Sequence, residues 1–120
     1  MIDKKNIDLI FSKIDEYWSP HIVGELNGQY VKAAKFKGQF PMHHHENEDE
    51  MFLVVKGEIE IKFTEYTKPV REGEFIIIPK GVEHSPSSKE EAWVLLFEPA
   101  ATLNTGNKQN EYTKQNLKTI

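Results

Sequence analysis

The chain has 120 residues, 15 Lys and Arg against 19 Asp and Glu, a net charge of −4 and no cysteine. This length suits one domain. The charge balance shows no clustered Lys and Arg for a nucleic-acid footprint, and without cysteine there is no disulfide framework and no thiolate metal site. No apolar run approaches the roughly 20 residues of a membrane helix. The first residues lead into a charged amphipathic stretch, not an apolar signal core. The expectation is a cytoplasmic protein with neither nucleic acid nor membrane as partner.

Residues 1–19 carry a helical pattern. Ile7, Ile10, Phe11, Ile14 and Trp18 recur at the spacing of one helix face. Asp3 is the candidate N-cap and Ser19-Pro20 the stop signal. This helix is expected to pack outside the domain. From Pro20 onward, short apolar runs alternate with turn residues. Residues 21–26 and 29–37 form a predicted hairpin around Asn27-Gly28. Residues 42–45 are a short predicted strand, 46–49 a polar turn, and 50–56 a strand closed by Gly57. In 58–63, Ile59, Ile61 and Phe63 face one way, and Glu58, Glu60 and Lys62 the other. Residues 74–78 end at Pro79-Lys80-Gly81, a turn triplet. Residues 82–86 and 92–98 are the last strands, joined by a turn at 87–91. About eight strands with no intervening helix predict an all-β sandwich or barrel over residues 20–100. Residues 101–120 form a polar tail, expected to lie across the barrel or a partner subunit. Its Thr102 to Asn107 stretch reads as a plain loop in preference to a lid.

The chemistry concentrates at four residues. On a strand, His43 and His45 point the same way and His44 points oppositely. Glu50 follows after a four-residue turn, so it returns on the neighbouring strand at the same depth, with Phe52 and Val54 beside it as an apolar wall. His84 arrives from a distant strand, aimed by the Pro79-Lys80-Gly81 turn. Three imidazoles and one carboxylate suit Fe(II), Mn(II), Ni(II) or Zn(II) and leave about two positions open on an octahedral ion. Gly57, Gly73 and Gly81 fall where turns need positive φ. His44 is expected to face out. Glu46, Glu48 and Asp49 read as a solvated turn, His21 as a surface or core histidine, and Glu98 as a strand end. Which of Tyr30, Lys35 and Gln39 faces the lumen stays open.

The joint order of these residues resembles the cupins. Gly38, His43, His45, Glu50 and Gly57 match the first cupin motif, and Gly73, Pro79, Gly81 and His84 match the second. Two positions depart: Gly38 is one residue closer to His43 than usual, and Ser88 stands where the family has an asparagine that helps close a turn. The compact spacing between motifs is similar to small single-domain cupins, and the overall texture to those labelled mannose-6-phosphate-isomerase-like. The resemblance implies a double-stranded β-helix, the cupin jelly-roll barrel, with the helix packed outside. It implies one divalent metal held by His43, His45, Glu50 and His84, a small-molecule ligand and a homodimer paired near residues 21–26 and the tail. Cupins include dioxygenases, isomerases, decarboxylases and non-enzymatic binders. The expectation is a metalloenzyme acting on a small oxygenated molecule, as a dioxygenase or a sugar-type isomerase or lyase. The alternative is a non-catalytic metal-dependent binding or sensor cupin. No general acid or base beyond the ligands is identified.

Overall fold

The structure, a computed structural model, describes residues 1–120. Its elements are α1 (Ile7–Ser12), β1 (His21–Leu26), β2 (Gln29–Gln39), β3 (Glu50–Lys56), β4 (Glu58–Lys62), β5 (Thr67–Arg71), β6 (Phe75–Ile78) and β7 (Ser85–Pro99). Every ladder is antiparallel. The strand order is β1-β2-β7-β3-β6, with β4 paired to both β5 and β7. This is the expected all-β barrel. No helix is long and apolar enough to cross a membrane.

β7 organises the barrel. One edge runs along β2, from Ser87 opposite Gln39 to Pro99 opposite Gln29. On its other edge, residues 85–87 pair with β4 and residues 93–97 with β3. The expected turn at 87–91 is therefore strand. Ser88 holds it in place, its Oγ donating to the Glu58 carbonyl at 3.0 Å. A serine thus ties the backbone where the motif has asparagine.

The alternation expected in β4 holds, with Ile59 and Ile61 fully buried. They join Ala34, Phe36, Phe52, Val54, Ile78, Val94 and Leu96 inside the barrel. Each large apolar side chain so buried stabilises the fold by about 1.5–3 kcal/mol. The Asn27-Gly28 turn has positive φ at both positions (54° and 78°), as a two-residue hairpin of right-handed twist needs.

Three further elements differ from expectation. The helix is shorter: Asn6, not Asp3, caps it by accepting from the Leu9 amide, and Lys13 ends it. Ile10, Phe11 and Ile14 pack on the outer face of the sheet against Val23, Ala33 and Trp93, but Trp18 leaves that face. It turns inward with φ 58° and stacks on Phe36 at 4.3 Å. Its Nε1–H donates to the Lys37 carbonyl, so burying the indole in the barrel outweighs one more helical turn. Residues 42–45 are not a strand; the His43–His84 pairing is an isolated bridge. Finally, β5 is absent from the expected set of strands, and it contains Pro69. It pairs with β4 alone, and an edge strand tolerates the missing amide.

Candidate metal centre

His43 and His45 lie in the irregular segment between β2 and β3, Glu50 opens β3, and His84 immediately precedes β7. Backbone bonds fix their relation. His43 N–H donates to the His84 carbonyl at 3.0 Å, the reverse bond is 2.8 Å, and Gly81 N–H donates to the His45 carbonyl at 2.7 Å. Glu50 sits opposite Ile78 in the β3–β6 ladder. The four side chains are between 0 and 4 % exposed. Each offers a donor atom, and these atoms lie within 4.8 Å of one another. Glu50 Oε1 stands 3.4 Å from His45 Nε2 and 3.3 Å from His84 Nε2. Phe52 and Val54 are buried on the same side as Glu50, as expected.

The rings are oriented from behind. His43 Nδ1 lies 2.8 Å from the Pro41 carbonyl, and His84 Nδ1 lies 2.9 Å from the Val82 carbonyl. A carbonyl accepts only, so each Nδ1 carries the proton and each Nε2 keeps its lone pair free for the cluster. Burial, reinforced by the neighbouring His84, lowers the His43 pKa to about 4, against the opposing pull of the Pro41 carbonyl and Glu50. Burial alone would raise Glu50, but the close approach of Glu98, His45 and His84 outweighs it and holds this carboxyl well below its usual range. Both ring nitrogens of His45, Nε2 of His84 and Oε1 of Glu50 are buried without a partner. Each such orphan costs about 1–3 kcal/mol. A divalent ion satisfies those that face the cluster, so the residues fit a metal and could hold one.

The cluster borders a cavity of about 30 Å3. His43, Glu50, Glu98 and Asn104 supply its polar wall, while Trp18, Phe36, Phe40, Phe52 and Leu96 supply much of the rest. Glu98 is thus a lumen residue, not a strand end. It shares the inward phase of Val94 and Leu96 and is 2 % exposed. Its Oε1 pairs with Lys32 Nζ at 2.8 Å. Burial first, then the adjacent Glu50 charge, pushes the Glu98 carboxyl up, against the opposing pull of Lys32. Lys32, 0 % exposed, is the basic residue that the sequence reading missed. The signal was its phase, shared with Ala34 and Phe36 on β2.

The other candidates fall outside the centre. Lys35 reaches outward to Glu91 and Trp93, Gln39 donates to Ser85 Oγ, and Tyr30 lies half-buried beside Lys32. His44 faces away from the cluster, 3.1 Å from Glu83. Glu46 and Asp49 are exposed, and Asp49 accepts from the Lys80 amide. His21 is a buried histidine satisfied by the Ser19 carbonyl. The Thr102 to Asn107 stretch is more than a plain loop. Asn104 lines the cavity, and Asn107 bonds the His44 backbone. The tail then returns to its own chain, where Thr119 bridges Ile22 of β1.

A small antiparallel barrel with an inward cluster of three histidines and a glutamate defines a class of β-barrel proteins with a candidate metal site. The chain belongs to the cupin family: the cupin domain matches residues 33–97. It is 32% identical over 89 residues to the uncharacterized protein YdbB of Bacillus subtilis, covering 73% of this chain and 79% of that protein. It is similar to the crystal structure of a cupin-2 domain containing protein from Shewanella frigidimarina. There the TM-score is 0.78 and the identity 38%, over 79% of this chain and 93% of the other. Protein NMB1881 from Neisseria meningitidis matches with a TM-score of 0.75 and 28% identity, over 82% of this chain and 100% of the other.

Proposed function

We propose that the protein is a metal-dependent enzyme acting on a small oxygenated molecule, with His43, His45, Glu50 and His84 as the ligands of one divalent ion. The observation that carries this reading is the convergence of four buried donors on an aromatic-walled cavity. Such an ion, when bound, supplies Lewis acidity and, if redox-active, electron transfer. The chain's own contribution is orientation and exclusion of water. Pro41 and Val82 fix two imidazoles, Glu50 offsets the charge, and the Phe36, Phe40 and Phe52 rings keep the site dry.

The apolar wall favours the dioxygenase form of this reading over the sugar-type isomerase. A polyol needs many hydrogen-bond partners, and a phosphorylated sugar needs a free cation. The buried cation behind the cavity, Lys32, is already engaged by Glu98. The lining suits a ligand with one polar end for the ion and an apolar, uncharged remainder, for which the cavity of about 30 Å3 has to open. One observation keeps the binding or sensor reading as the second: Glu98, the further acid in the lumen, is held by Lys32 through Oε1, which leaves only Oε2 to serve a substrate.

The test is metal analysis of protein purified without an affinity resin, then oxygen-uptake screening of the Fe(II) form with small phenols and enols. Glu50→Gln is expected to remove turnover while the circular dichroism spectrum stays unchanged. If no metal form turns over any compound, yet a metabolite co-purifies in the cavity, the binder reading replaces this one.

The same reading includes a homodimer. The edge at β1, the expected contact, is covered by the chain's own C-terminus, where Ile120 N–H donates to the Ile22 carbonyl. The better-supported face is the outer surface at β6, where Phe75 and Ile77 are 61% and 57% exposed beside Met51, Leu53 and Phe97.

A further inference from the structure

The segment from Thr102 to Thr113 lies beyond the matched cupin domain, which ends at residue 97, yet it contacts the backbone of the metal cluster itself. Its start is anchored beside Lys32, whose Nζ donates to the Thr102 carbonyl at 3.4 Å. It is braced internally. The Asn104 side chain donates to the Tyr112 carbonyl and accepts from the Lys114 amide, and the Thr105 and Thr113 hydroxyls are 2.7 Å apart. Tyr112 then packs on Phe40, whose ring lies 5.3 Å from His43.

The decisive contacts are at His44, between the two histidines that face inward. His43 and His45 are tied to the barrel through His84 and Gly81, but both backbone groups of His44 go to one residue of the tail. Asn107 N–H donates to the His44 carbonyl at 2.9 Å, and His44 N–H donates to Asn107 Oδ1 at 3.0 Å. Next to this latch, Gly106 has φ 58°, and a Cβ there would run into the His44 carbonyl and come within 3.0 Å of His43 Cδ2. Only a glycine lets the tail approach this closely.

We propose that residues 102–113 form a metal-responsive strap. Closed, it holds His43 and His45 in position for the ion; the bound ion in turn holds it shut. The inference rests on the reading of the cluster as a metal centre. Coupling of this kind is reciprocal: if the closed strap raises metal affinity, the metal stabilises the closed strap by the same factor. In the metal-free protein the orphaned ring nitrogens and Glu50 Oε1 gain by admitting water, which the closed strap excludes. Asn107 and Gly106 are positioning residues in this scheme, since they touch His43 and His44 and not the ion.

The experiment titrates full-length wild type, Asn107→Ala, Asn107→Asp and Gly106→Ala with Co(II), read by visible absorption. Hydrogen exchange of residues 102–113 is followed with and without Co(II). In wild type, Co(II) is expected to slow exchange across the strap. Asn107→Ala, which loses one hydrogen bond, is expected to bind Co(II) roughly fivefold more weakly. Asn107→Asp keeps the acceptor and is expected to restore the affinity. Gly106→Ala is expected to weaken binding by about tenfold or more and to change the absorption bands. Failure of wild type to bind Co(II) overturns the metal reading itself. Tight wild-type binding with unchanged strap exchange, and with all variants binding equally, overturns the strap alone.

Discussion

Lys32 and Glu98 form an ion pair almost wholly shielded from water. Such a pair is costly to break by removing one partner, about 3–5 kcal/mol, and cheap to replace entirely with apolar residues. Lys32→Met is therefore expected to destabilise the protein by about that amount in urea unfolding, while Lys32→Met with Glu98→Leu recovers most of the loss. His43 sets a second expectation. Unfolded, it titrates near 6.5 and, folded without metal, near 4. Between those values the unfolded chain holds the extra proton, so stability falls as pH drops from about 6.5 to about 4. The loss is on the order of 3 kcal/mol, read by denaturant unfolding of chelator-treated protein across that range, and His43→Gln should flatten it. The four-residue cluster was legible in the sequence from the spacing of its members among the turn glycines and Pro79, although residues 42–45 are not the strand whose alternation was expected to aim His43 and His45. The Lys32–Glu98 pair was not. Each residue's phase was visible, but their meeting depends on how β2 registers against β7, which local pattern does not fix.

At the scale of elements, tertiary contacts overrode local signals in every case of disagreement. Trp18 obeys the helical spacing of residues 7–14 but is claimed by Phe36 and Phe40 inside the barrel. Pro69 argues against a strand, and only its position on an edge makes β5 possible. The apparent turn at 87–91 is strand, because β2 continues alongside it past an irregularity at Phe36/Gly38. The turn glycines, by contrast, were read correctly: Gly57, Gly73 and Gly81 all have positive φ. Gly57 carries the sharpest constraint. With φ at 86°, a Cβ would also lie 3.1 Å from the Glu91 carbonyl and 3.2 Å from Ala92 Cα, both backbone of β7. Gly57→Ala is expected to lower unfolding free energy by about 1–3 kcal/mol, measured by chemical denaturation, with the loss arising at the β3–β4 corner.

For the whole molecule, the outer face of β6 is the surface that invites association. Phe75 and Ile77 stand exposed on a strand that pairs only with β3, and large apolar side chains gathered at a sheet edge favour a second copy. Light scattering at micromolar concentration is expected to give twice the 13.9 kDa chain mass. Phe75→Lys with Ile77→Lys is expected to return the mass to that of a monomer without loss of metal binding, since neither residue approaches the cluster. A monomeric wild type would remove the proposal.

The place of β7 in the chain has a consequence for biogenesis. Strands β2, β3 and β4 all take β7 as a ladder partner, and the pairing of Gln29 with Pro99 joins residues far apart in sequence. A nascent chain that has emerged only as far as β6 carries three strands whose partner is still inside the ribosome. Closure must wait for nearly the full length, and long-range pairing of this kind is slow. Until then the unpaired edges are open to wrong partners. His84 arrives just ahead of that same strand, so the metal site and the closed barrel become available in a single late event, and no partly made chain presents a finished site to the wrong ion.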